Sequence, residues 1–109
     1  MTTERINALL KMLERGQDSA LLRFSLGNEY MSVEDFDEAA GHLRRAVELD
    51  RKYSAAWKLL GRALAQSGRE DEAISVFREG VEVAEGQGDR QAAKEMNVFL
   101  KRLLKKRKG

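Results

Sequence analysis

The chain of 109 residues carries a net charge of +2, with 35% charged and 42% hydrophobic residues, and its length favours a single domain, residues 1–109. It contains no cysteine, which excludes disulfides and thiolate metal sites. Because it has neither an apolar run of about 20 residues nor the apolar core of a signal peptide, the sequence predicts no membrane span and a cytoplasmic protein.

Apolar residues at helical spacing predict six helices and no strand. The first three helices are expected at residues 3–15, 20–31 and 34–49, and the other three at 55–66, 70–85 and 90–106. Gly16 is expected to end the first helix. The links have two to five residues, so neighbouring helices should pack antiparallel.

Polar residues ahead of the helices supply the expected N-caps. Either Asp18 or Ser19 should cap the second helix, Ser54 the fourth and Asp89 the sixth. Ser32 with Asp35 forms a capping-box pattern ahead of the third helix.

Residues recur along the chain at an offset of 34 positions. Leu26-Gly27 aligns with Leu60-Gly61, Glu38 with Glu72, Ala39 with Ala73, and Leu43 with Phe77. The pattern resembles the tetratricopeptide repeat, a helix–turn–helix unit with W-x₂-L-G-x₂-Y followed by A-x₃-F. The resemblance implies repeats at residues 20–53 and 54–87, although Arg23 stands where the second copy has Trp57.

The flanking segments are interpreted as capping helices, at residues 3–16 and 89–107, because two repeats alone would leave apolar ends exposed. The N-terminal end of the stack should be covered by Leu9, Leu10 and Leu13. The C-terminal end should be covered by Ala93, Val98 or Phe99, and Leu100. The expected fold is all-α, an α-α superhelix of about six antiparallel-stacked helices. Gly27 and Gly61 should allow close helix contact, and Trp57 should be buried.

The resemblance also implies a concave groove lined by the first helix of each pair. Its predicted ligand-binding residues are Phe24, Asn28, Met31, Lys58, Arg62 and Gln66. Lys58, Arg62 and Gln66 are four apart and share one helical stripe. A cationic centre beside apolar residues suits a peptide segment with a carboxylate and an apolar side chain. The chaperone-binding carboxylate clamp of some family members is not expected, because Phe24 stands where the clamp has Lys.

No catalytic residue, metal or cofactor is predicted. His42 has no serine or cysteine near it in the sequence and is interpreted as a surface residue. The acidic run from Glu34 to Glu38 lacks the spacing of a calcium loop and should instead complement a helix N-terminus.

Residues 101–109 contain six Lys or Arg and no acid, so the first hundred residues carry −4 of the total charge of +2. Candidate anion contacts in this tail are Lys105, Lys106, Arg107 and Lys108. Two functions remain open: a non-catalytic adaptor for a protein or peptide partner, and a nucleic-acid- or ribosome-associated factor acting through the basic helix. Homodimerisation through a terminal helix is also left open.

Overall fold

The computed structural model describes residues 2–108, and this part of the chain forms six α-helices and no strand. The helices are α1 (Thr2–Glu14), α2 (Ala20–Ser32), α3 (Phe36–Leu49), α4 (Ser54–Gln66), α5 (Glu70–Gly86) and α6 (Arg90–Lys108). The predicted all-α class is confirmed, and each helix begins and ends within two residues of the expected position.

The helices stack in chain order. Each contacts the next from α1 to α6, and α4 also contacts both α2 and α6. The stack is elongated, with extents of 44 × 30 × 19 Å. This is the packing of a helical repeat, in which the first helices of successive pairs lie next to one another.

Two predicted N-caps are confirmed. The Leu22 backbone N–H donates to Ser19 Oγ at 3.1 Å, so Ser19 and not Asp18 caps α2. The Ala92 N–H donates to Asp89 Oδ1 at 3.1 Å at the start of α6. In both cases a side-chain oxygen accepts from a backbone N–H that has no partner within the helix.

Two predicted caps are wrong. Ser32 remains the last residue of α2, where its hydroxyl donates to the Asn28 carbonyl at 3.2 Å, and Asp35 alone caps α3. Ser54 is the first residue of α4 and is buried, and its hydroxyl accepts from the Gln87 side chain. Gln87 also donates to the Lys52 carbonyl at 2.7 Å, so a tertiary contact replaces the local one.

The repeat glycines lie where helices of one pair meet. A Cβ on Gly27 would overlap the Leu43 side chain, and one on Gly61 would overlap the Phe77 ring. Leu43 and Phe77 occupy the same position of the two repeats and are almost entirely buried. The predicted close approach is therefore confirmed in both repeats.

Trp57 is 3% exposed, and its indole Nε1–H donates to the Arg51 carbonyl at 2.8 Å. Arg51 also lies over the indole ring, with Cζ 5.4 Å from the ring centroid. The predicted burial of Trp57 is confirmed, and its one polar atom has a partner.

The residues that are buried at the two ends of the stack are not all the ones that the sequence predicted. At the first end Ile6 is the buried residue of α1, and Leu9, Leu10 and Leu13 are only half-buried. At the other end Ala93 and Leu100 are buried as expected, and Met96 is fully buried, but Val98 is 43% exposed. Of the two alternatives Val98 and Phe99, it is Phe99 that packs against the core, where its ring stacks on that of Phe77. Met96, which the sequence did not suggest, lies over Gly80: a Cβ on Gly80 would be 2.6 Å from Met96 Sδ.

Candidate functional site

The candidate site is the surface where the sequence predicts a groove, along α2 and α4, the first helices of the two pairs, and the following helix α6. The six predicted residues divide by exposure: Asn28, Arg62 and Gln66 are exposed, whereas Phe24, Met31 and Lys58 are half-buried. The rings of Phe24 and Tyr53 pack with centroids 5.0 Å apart. Phe24 and Met31 therefore make the α2 side of the groove apolar, and the role of all six residues in binding stays a prediction.

Lys58 is held by an acid that the sequence did not suggest. Its Nζ lies 2.8 Å from Glu95 Oε1 on α6, which is 37 residues away. Glu95 also accepts from the Gln91 side chain at 3.2 Å, and these hydrogen bonds, first the one from Lys58, lower the pKa of the Glu95 carboxyl. The positive charge of Lys58 is thus neutralised by an ion pair within the chain.

Arg62 is differently placed, because no carboxylate of the described residues pairs with it. Its guanidinium Cζ lies 5.5 Å from the centroid of the Phe99 ring, and that of Arg102 lies 5.9 Å from the same ring. Phe99 in turn stacks on Phe77 at 5.6 Å, which fixes the ring at the edge of the core. We call the cavity formed by Arg62, Phe99 and Arg102 the arginine pocket.

The arginine pocket has a volume of about 210 Å³, and Ala65, Gln66, Phe77 and Leu103 complete its lining. Arg102 also makes no ion pair among residues 2–108, so two unpaired guanidiniums border a largely apolar cavity. Guanidinium groups bind carboxylates through paired N–H donors, and the neighbouring aromatic ring offers apolar contact. The pocket is therefore suited to an acidic side chain or chain end beside an apolar group.

Sequence reasoning missed Glu95, Phe99 and Arg102. The signal was present, since Phe99 follows Ala65 by 34 residues and Ala65 follows Met31 by the same distance. Extending the repeat by one more half-unit would have placed Phe99 in the groove. Interpreting α6 only as a cap assigned Phe99 to covering the end of the core.

The basic tail is partly engaged within the molecule. Lys106 Nζ lies 2.6 Å from Glu70 Oε2, and an Arg107 guanidinium nitrogen lies 2.9 Å from Asp71 Oδ1. Both acids lie in the first turn of α5. Lys105 and Lys108 are exposed, so only part of the predicted anion-contact set is unpaired.

His42 is half-buried and not, as expected, a surface residue. Its Nδ1 accepts from the Arg23 guanidinium at 3.1 Å, and its ring stacks on Tyr30 at 5.5 Å. Burial first, and then the charge of Arg23, lower the pKa of His42. Within residues 2–108 no group of three acidic or histidine side chains is arranged to hold a metal ion. None of the helices in this range is long and apolar enough to cross a bilayer.

A family model described as tetratricopeptide repeat matches residues 24–90. TPR repeat-containing protein PA0015 of Pseudomonas aeruginosa is 50% identical over 98 residues, which cover 90% of this chain and 93% of that protein. Small glutamine-rich tetratricopeptide repeat-containing protein 2 of Mycosarcoma maydis is 31% identical over 78 residues. These residues are 72% of this chain but only 22% of that longer protein.

Among solved structures, that of protein BPP2914 from Bordetella parapertussis superposes with a TM-score of 0.80 at 42% sequence identity. The superposition covers 93% of this chain and 88% of that protein. The similarity thus extends beyond the two repeats to the flanking helices.

Proposed function

Because the chain belongs to the tetratricopeptide repeat family, we propose that it is a non-catalytic adaptor that binds an acidic segment of a partner protein in the groove of α2, α4 and α6. Members of this family are generally protein–protein interaction modules that use the concave surface of the stack. We divide the chain accordingly into an N-terminal cap, two repeats at residues 20–53 and 54–87, and a C-terminal capping helix.

One observation carries the proposal: Arg62 and Arg102 border the Phe99 ring without a carboxylate partner among the described residues. A cationic group that is already paired must lose that partner to bind a guest, and the Lys58 ammonium is paired with Glu95 in this way. Arg62 and Arg102 need no such exchange. Phe24 and Met31, on the α2 side, offer apolar contact to the rest of the guest segment.

The test uses peptides of about eight residues selected by phage display against the wild-type protein. We expect enrichment of Asp or Glu next to a large apolar residue. The double variant R62E/R102E should bind the selected peptides at least about tenfold more weakly, because two charge-assisted contacts are replaced by repulsion. Isothermal titration calorimetry measures the affinities.

The matched control is K11E/R78E, which makes the same change of charge at two exposed cations of α1 and α5, away from the groove. It should bind like the wild type. Equal weakening in both variants would indicate a general charge effect, and selected peptides without acidic residues would contradict the assigned ligand. A peptide affinity unchanged by R62E/R102E would remove the arginine pocket from the function.

Binding of nucleic acid through all four residues 105–108 acting together is the less favoured function. Lys106 and Arg107 would have to leave Glu70 and Asp71 before either could contact a phosphate. A cytoplasmic location and a homodimer both stay predictions.

A further inference from the structure

Helix α6 carries a large excess of positive over negative charge. It has eight cationic residues and one acid, a net charge of +7, which leaves −5 for the rest of a chain whose total is +2. Three of these cations are engaged: Arg102 on Phe99, Lys106 with Glu70 and Arg107 with Asp71. The remaining five are exposed and make no ion pair among residues 2–108; we call Arg90, Lys94, Lys101, Lys105 and Lys108 the basic stripe.

The basic stripe is a single line along the helix. Its members follow one another at intervals of four, seven, four and three residues, each close to a whole number of helical turns. With 3.6 residues per turn they fall within about 60° of the helix circumference, and they span about 27 Å. The buried residues Met96 and Leu100 lie on the far side of α6.

The stripe faces away from the protein, because α6 is the last helix of the stack and packs only on α5 and α4. Ala93, Asn97 and Val98 form the floor of a shallow depression along the stripe. Glu85, at the end of α5, lies at the edge of this depression and is the acid that borders it.

We propose that the basic stripe binds the phosphate backbone of double-stranded DNA, independently of base sequence. A straight row of cations without an intervening acid is complementary to a polymer that carries a negative charge at regular short intervals. The inference rests on the face of α6 that points away from the core and does not depend on the groove.

Charge and shape favour duplex DNA over other anionic polymers. Single strands are usually held by stacking on aromatic side chains, and the stripe has none, since Phe99 packs against Phe77 on another side of α6. Helices that bind membrane surfaces insert an apolar face, but that of α6 is buried in the core. An α-helix is about 10–12 Å wide and fits the major groove of B-DNA, about 12 Å wide, but not the narrow major groove of A-form RNA.

The experiment measures binding of a fluorescent DNA duplex of about 20 base pairs by anisotropy, at salt concentrations from about 50 to 200 mM. Five phosphate contacts predict a slope of about −4.5 for the logarithm of affinity against the logarithm of salt concentration. In K94Q/K101Q this slope should become shallower by about 1.8, with a loss of affinity at every salt concentration. Circular dichroism checks that the variants keep their helix content.

The matched variant is K106Q/R107Q, which removes two charges from the same helix at positions engaged with α5. Its slope should stay close to that of the wild type. An equal or larger effect of K106Q/R107Q would overturn the assignment to the stripe. Absence of binding at the lowest salt concentration would overturn the proposal, and so would tighter binding to duplex RNA, phosphatidylserine vesicles or polyglutamate.

Discussion

Glu34 has a left-handed backbone, with φ of 60°, which non-glycine residues rarely adopt. The residue at the same position of the second repeat, 34 residues later, is Gly68, with φ of 81°. Both lie in the turn between the two helices of a pair, so the turn requires this conformation in each repeat. In the second repeat Gly68 indicates the turn in the sequence. The first repeat has Glu34 there and no glycine, and α3 was therefore expected to begin at Glu34, two residues too early.

Replacing Glu34 by Gly should stabilise the protein by up to about 1 kcal/mol, because a left-handed backbone costs a non-glycine residue about 1–2 kcal/mol and the added freedom of the unfolded chain offsets part of this gain. Urea unfolding followed by circular dichroism measures the change. The companion variant is G68A, which should destabilise by about 1 kcal/mol; no atom lies within 4 Å of a Cβ built there, so only the backbone conformation is tested. A loss of stability in E34G would show that the Glu34 side chain matters more than its φ.

At the scale of helices, the two repeats have different kinds of side chain at two equivalent positions, one on each helix of the pair. In the second repeat, Trp57 and Val76 are both buried and apolar. The first repeat has Arg23 and His42 at the same positions, and these form a hydrogen bond. Asp18 also binds Arg23, at 2.8 Å, and Glu38 lies 3.8 Å from His42 Nε2, so charged groups from α2, α3 and the loop before α2 surround the pair. A polar contact between α2 and α3 should make this pair of helices sensitive to pH.

Acidification from about pH 7.5 to about 5.5 should destabilise the protein through His42. The pKa of His42 is lowered in the folded protein, first by burial and then by Arg23, so the unfolded chain binds the proton more readily. The stability contributed by neutral His42 is present above the unfolded pKa of about 6.5 and is lost as the pH falls toward the folded value. Thermal unfolding at several pH values measures the effect.

The control for this prediction is H42Q, which keeps an acceptor for Arg23 but does not titrate. Its melting temperature should fall less than that of the wild type between the same two pH values. The carboxyl of Asp18, whose pKa is lowered chiefly by its hydrogen bond from Arg23, titrates below this window. Identical pH profiles of wild type and H42Q would contradict the role given to His42.

At the scale of the whole molecule, α6 serves both the core and the surface. Met96 and Leu100 close the apolar end of the stack, and Gly80 leaves the space that Met96 fills. The same helix contributes Phe99 and Arg102 to the groove and the basic stripe to the outer surface. A repeat stack with an uncovered end exposes apolar surface to water, so the last helix should be needed for stability as well as for binding.

Truncation after residue 88 should abolish cooperative unfolding. Removing Met96, Phe99 and Leu100 from the core forfeits about 1.5–3 kcal/mol for each side chain, which is comparable with the total stability of a small domain. Differential scanning calorimetry and analytical ultracentrifugation should show a broadened transition and self-association. The full chain with M96A should lose about 2–5 kcal/mol but remain folded and monodisperse. A truncated chain that unfolds as cooperatively as the full one would contradict the capping role.

The sequence by itself determined the helices, the repeat and the close contacts at Gly27 and Gly61, because these depend on apolar spacing and on a 34-residue period that can be read along the chain. It also identified six groove positions, whose part in binding is still a prediction. Only the tertiary structure decided which cations are unpaired. Lys58 pairs with Glu95, 37 residues away, and Lys106 pairs with Glu70, 36 residues away. Arg62 and the basic stripe make no ion pair among residues 2–108. Such pairs depend on distances of a few ångströms between side chains on different helices, and a periodic pattern does not fix those distances.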